Sequence, residues 1–170
     1  MVYCIENFFS YIASVNFYKW NSIIYMKRIY KEEHINIDVS TIFNLINDIE
    51  KYPTYLPWCT KTEVEKLSNN IAIGKIYISK SFIKWNFSTK NYIDENKSIK
   101  LEFVDGPFDT LDGKWLFTPT DKYNTKVSLE INYKFKSKLI EVSIEPIFTT
   151  IMNSILKSFV QEAFKIKYND

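Results

Sequence analysis

The sequence predicts an α+β fold, in which a curved antiparallel sheet grips one long C-terminal helix. Three observations predict it. Apolar and polar residues alternate in successive segments between Thr60 and Phe135, short turn signals separate those segments, and helical spacing returns from Leu139 to Tyr168. The 170 residues suffice for one well-buried core and are too few for two comfortable domains.

A first strand is expected within Tyr25 to Ile37. Asp38 then offers an N-cap oxygen, and Val39, Ile42, Phe43, Ile46 and Ile49 follow at helical spacing. This helix must end before Pro53, because the residue preceding a proline is pushed out of the helical region. Pro53 can open a short second turn and Pro57 closes it. Asn69-Asn70 marks a turn between strands near Thr60–Leu67 and Ile71–Lys80. In the next strand Ile83, Trp85 and Phe87 oppose Lys84, Asn86 and Ser88, and then Ile99, Leu101 and Phe103 alternate with Lys100 and Glu102. Gly106-Pro107 breaks the chain. Leu111, Gly113, Trp115 and Phe117 form the next apolar face, and Val127, Leu129, Ile131, Tyr133 and Phe135 the last. Short connections make neighbours antiparallel, with one wet and one dry face. The dry face needs a cover, and the C-terminal stripe of Ile144, Ile147, Phe148, Ile151, Met152, Ile155, Phe159, Ala163 and Ile166 supplies it. Pro146 marks either a kink in that helix or its first turn.

Composition excludes several functions. The net charge is +2 and Arg28 is the only arginine, so sequence-specific reading of nucleic acid, which favours arginine forks, is not expected. With Cys4, Cys59 and His34 as the only cysteines and histidine, a zinc site cannot be assembled without unusual carboxylate help, and no metal ligands are assigned. With 3 glycines and no GxSxG, GxGxxG, P-loop or HExxH, no phosphate cradle or hydrolase motif is present. Cys59 with His34 as base is the one nucleophilic pairing on offer; His34 among Lys31, Glu32 and Glu33 reads as solvent-facing, and Cys59 as a small buried hydrophobe. Asp105, Asp109 and Asp112 read as turn formers. No catalytic residue is assigned.

What remains is aromatic. Rings make up 17% of the chain, and alternation places Trp85, Phe87, Phe103, Trp115, Phe117, Tyr133 and Phe135 on one face of the sheet. Such rings either interlock into a solid core or hold the helix away and leave an apolar cavity fit for a lipid-like guest. The residues leave both outcomes open.

Several motifs together carry a resemblance. The helix is followed by YPTYLPWCTKTEV, then SFIKWNFSTKN, DGPFDTLDGKWLFTP, a strand ending in YKFKS and a helix bearing FVQEAF. This order, above all YPxxLPWC with GPFxxLxGxWxF, resembles the coenzyme Q-binding START-domain family from about Ile24 to Tyr168. The resemblance implies a START-like helix-grip fold and non-catalytic binding of ubiquinone, or a similar isoprenoid lipid, between sheet and helix. It further implies a carrier or chaperone that supports respiration from a peripheral position at the mitochondrial inner membrane, with no catalytic cofactor. On that reading Trp58, Trp85, Phe87, Phe103, Trp115, Phe117, Phe148 and Met152 line the guest site and Phe108 lies near its mouth. Two alternatives accompany it. Bacterial relatives with these motifs are described as ribosome-association toxins, and other START-like domains are cyclases or hydrolases. The latter would need inward polar residues, of which the alternation shows none. Residues 24–170 form the expected lipid-binding domain. Residues 1–23 are an extension, acid-poor and apolar, that reads equally as a mitochondrial targeting segment or a tail.

Overall fold

The computed structural model describes residues 26–169. The expected extension, residues 1–23, lies outside them, as does Cys4. The elements run β1 (Lys27–Ile35), α1 (Val39–Asn47), a 3-10 turn (Ile49–Lys51), α2 (Tyr52–Tyr55), β2 (Cys59–Ser68), β3 (Ile71–Lys80), β4 (Ile83–Asp94), β5 (Ser98–Asp105), β6 (Phe108–Pro119), β7 (Thr125–Phe135) and α3 (Lys138–Asn169). All seven strands form one antiparallel sheet in the order β1-β7-β6-β5-β4-β3-β2, so β1 and β2 are its two rims.

Each element follows from local chemistry. The Asp38 carboxylate accepts from the Thr41 amide at 3.0 Å and from the Thr41 hydroxyl at 2.7 Å, which caps α1. Ile42, Phe43, Leu45 and Ile46 form its buried face. Pro53 sits in the first turn of α2, where its missing N–H has no partner to lose. Register shifts interrupt the β2–β3, β4–β5 and β6–β7 ladders. Such bulges bend strands and add twist, and here they curve the sheet around α3. At the β5–β6 turn Gly106 has φ +140°, and a Cβ there would stand 2.6 Å from Cβ of Phe87. Only glycine fits.

Helix α3 starts directly after Ser137, whose hydroxyl accepts from the Ile140 amide at 3.3 Å, so Pro146 lies inside the helix and not at its first turn. Its 32 residues extend about 48 Å at 1.5 Å each. The first turns are tied to the far rim by Lys27, which forms ion pairs with Glu141 and Glu145. Beyond them Phe148, Ile151, Phe159 and Ala163 are fully buried against the sheet. Ile166, expected on the stripe, is exposed near the end of the helix, while Leu156 joins the core. By length and composition α3 could cross a membrane, but here its apolar face covers the sheet.

Candidate functional site

Between sheet and helix the rings neither fill the interior nor hollow it out. Phe108 is 0% exposed and packs on Phe87, Phe103, Tyr133, Phe135 and Phe148, with centroids 4.9–6.1 Å apart. Tyr52, Trp115 and Phe159 make a second cluster, with Trp115 and Phe159 perpendicular at 5.6 Å. Between the two clusters lies a cavity of about 70 Å³. That exceeds the roughly 10–15 Å³ that admits one water, yet it is too tight for a substituted quinone ring unless side chains move.

Of the residues expected to line a guest site, the cavity brings together Trp58, Phe87, Trp115, Phe148 and Met152. Four others lie elsewhere. Phe117 packs edge-on against Phe43 of α1, 5.3 Å away. Phe103 rests on Phe108, and Trp85 borders a separate hollow at the β3–β4 end of the sheet. Phe108 is not at a mouth, because the Gly106-Pro107 bend folds it back opposite Phe135 in the β6–β7 ladder. At Gly113 a Cβ would meet the Glu130 carbonyl oxygen at 3.0 Å, and the side chains of Ile131 and Leu101 at 3.2 and 3.3 Å. Ile131 and Leu101 both line the cavity.

The structure also shows inward polar residues, contrary to expectation. The alternation of Trp85 and Phe87 continues along β4, so Thr89 and Asn91 face the cavity as well. The Thr89 hydroxyl donates to Oδ1 of Asn91 at 2.7 Å, leaving the Asn91 amide N–H groups to other acceptors. Asn47, Ile49 and Asn91 line both the cavity and a polar groove of about 950 Å³ between α1, the 3-10 turn and strands β2–β4. Ile49 fits there because Gly74 lacks a side chain: a Cβ on Gly74 would meet Cδ1 of Ile49 at 2.7 Å. Ile49 thus stands on the wall that cavity and groove share.

The cavity is poor in reactive groups. Tyr52 is the only titratable side chain among its described lining residues, burial holds its pKa well above the ordinary value, and its hydroxyl donates to the Ile46 carbonyl. The indole N–H of Trp58, a residue only 5% exposed, is buried without a partner among the described residues. Leaving such a donor unsatisfied costs about 1–3 kcal/mol. Cys59 is buried, and burial pushes its thiol up to about 11. It sits on β2 while His34 sits on β1, at opposite rims of the sheet, so the two form no catalytic pair. Asp105, Asp109 and Asp112 are all exposed, with Asp109 paired to Lys134. No group of three or more metal-ligating residues exists among the described residues.

The comparisons with known proteins agree with this architecture. The family described as "Polyketide cyclase / dehydrase and lipid transport" matches residues 35–160. The ribosome association toxin RatA of Vibrio cholerae is 33% identical over 141 residues, covering 83% of this chain and 98% of its own. The mitochondrial coenzyme Q-binding protein coq10 of Schizosaccharomyces pombe is 23% identical over 134 residues, covering 76% and 81%. Among solved structures, the Zhui aromatase/cyclase from a Streptomyces species superposes with a TM-score of 0.74 at 12% identity, over 82% of this chain and 94% of the other. A START superfamily protein from Mycobacterium smegmatis gives 0.69 at 14%, over 82% and 98%. Seven antiparallel strands curved around a C-terminal helix, with that family match spanning most of the domain, mean that this chain belongs to the polyketide cyclase / dehydrase and lipid transport family and has the START-like helix-grip fold.

Proposed function

We propose that this protein binds an isoprenoid quinone such as ubiquinone, without catalysis, in the cavity between its sheet and α3. The observation that carries the reading is the lining. Apart from Asn47, Thr89 and Asn91 it is aliphatic or aromatic, and it contains no group that could serve as acid, base or nucleophile near neutral pH. The relative named as coenzyme Q-binding supports the choice of guest. Each methylene of an isoprenoid tail moved out of water contributes roughly 0.8 kcal/mol. A narrow apolar cleft that opens on demand can therefore take up part of such a lipid and release it again at a bilayer. On this reading the protein meets a membrane surface transiently and carries no catalytic cofactor; a place at the mitochondrial inner membrane is part of the same proposal. The test is organic extraction of protein purified without detergent, followed by mass spectrometry. Quinone near one per chain is expected; protein that emerges lipid-free, and stays so after incubation with quinone-loaded vesicles, would contradict the proposal.

A second reading is favoured by the higher identity to proteins named ribosome association toxin. It places the function on the outer surface and predicts co-sedimentation with ribosomal subunits, which a purely lipid-binding protein would not show.

A further inference from the structure

We propose that the indole N–H of Trp58 is the donor that recognises the guest, so that the ligand must carry a hydrogen-bond acceptor on its buried end. This deepens the quinone reading and rests on it. Trp58 lines the cavity, is almost fully buried, and its Nε1–H finds no acceptor among the described residues. Buried donors without partners are few in folded proteins, and each calls for an explanation. Trp85 carries a similar orphan but borders a different hollow, so orphan donor and cavity coincide at Trp58.

The surroundings fix what the missing partner is. Indole nitrogen donates only, so the partner is an acceptor such as a carbonyl or ether oxygen. The Tyr52 and Thr89 hydroxyl protons are already committed, to the Ile46 carbonyl and to Oδ1 of Asn91, and the remaining side-chain donors of the lining, the Asn47 and Asn91 amides, belong to the part it shares with the groove. The direction of the guest follows from register. The Trp58 carbonyl accepts from the Ser79 amide, whereas Asn91 pairs with Ala72, seven residues away along β3. That separation is about 23 Å at 3.3 Å per residue. Asn47, Ile49 and Asn91, which also border the groove, therefore lie toward the opposite end of the cavity lining from the Trp58 backbone. A quinone enters ring-first past Ile49, its carbonyl accepts from Trp58, and its tail trails back toward the groove.

The experiment compares wild-type protein with Trp58→Phe, using a benzoquinone bearing a two-isoprene tail and squalene, an isoprenoid without oxygen. Phenylalanine keeps a ring in the cavity and removes only the donor and some bulk. Affinity for the quinone should fall about tenfold, as for loss of one good hydrogen bond, while affinity for squalene stays within about twofold. In ¹⁵N-labelled wild-type protein the assigned Trp58 indole proton should move downfield with quinone and not with squalene, a readout that holds even if the variant fails to fold. Equal losses for both lipids, or an unmoved Trp58 resonance at quinone saturation, overturn the donor role and leave the quinone reading standing. Wild-type protein that takes up neither lipid overturns both.

Discussion

Cys59 shows how strongly one side chain's behaviour depends on its setting. Buried behind Trp58 at the start of β2, its thiol is raised to about 11, far from the range in which a thiolate attacks. In a Cys4→Ser background, iodoacetamide at pH 8 should therefore label the native protein at least about 100-fold more slowly than the urea-unfolded chain, where an ordinary thiol near 8.5 is restored. Comparable rates in the two states would mean that Cys59 is accessible and activated. Its inert character was legible from the absence of a neighbouring base. Thr89 and Asn91 were legible too, since they are the next two alternate positions after Trp85 and Phe87. What obscures them is their polarity: an apolar count along β4 stops at Phe87 although the backbone keeps its period of two, the bulge opposite Ser88 and Thr89 lying on β5 at Val104. The place of Phe108 was not legible, for a different reason. A ring beside a Gly-Pro bend looks like a loop residue, and only the pairing of β6 with β7 shows it folded inward.

Among the elements, α1 offers a direct test of local design. Burial acts to raise the Asp38 pKa, but hydrogen bonds from Ser40 and Thr41 outweigh it and bring the group from 3.8 to about 2. A carboxylate depressed on folding stabilises the fold above its unfolded value and loses that contribution as pH falls through its folded one. Asp38→Ala should cost about 1 kcal/mol at pH 7, and the gap to wild type should close as pH drops from about 4 toward 2. Urea unfolding at stepped pH measures it; a gap that stays constant over this window would mean the cap is not the carboxylate. The cap, the short helix opened by Pro53 and the alternating strands were all readable, because each rests on contacts within a few residues. The place of Pro146 in α3 was not. Pro146 signals a helix break, and only Ser137 and the ion pairs from Lys27 explain why helix persists before it.

At the scale of the whole molecule, the architecture was legible and the interior was not. Whether rings on a sheet meet those on a helix or leave a gap is decided by rotamers across contacts remote in sequence. The outcome, two solid aromatic clusters with about 70 Å³ between them, also means that any guest must first widen its site. Binding that selects the folded state still stabilises it, by about 2.7 kcal/mol at 100 times Kd. For a chain of this size that corresponds to a rise in Tm of about 5–10 °C. Calorimetry with the short-tailed quinone should show it, and a Tm that falls would mean the lipid prefers a loosened state.

Among the described residues the sheet that holds this interior stays open, and its two rims are guarded. Lys27, Arg28, Lys31, Glu32 and Glu33 mark one outer strand, and Lys61, Glu63, Glu65 and Lys66 the other. A second copy laid against either margin would have to strip water from these ionised groups before it gained a single backbone bond. A chain whose interior is this rich in rings can thus stay dispersed at concentrations where a bare margin would template fibrils.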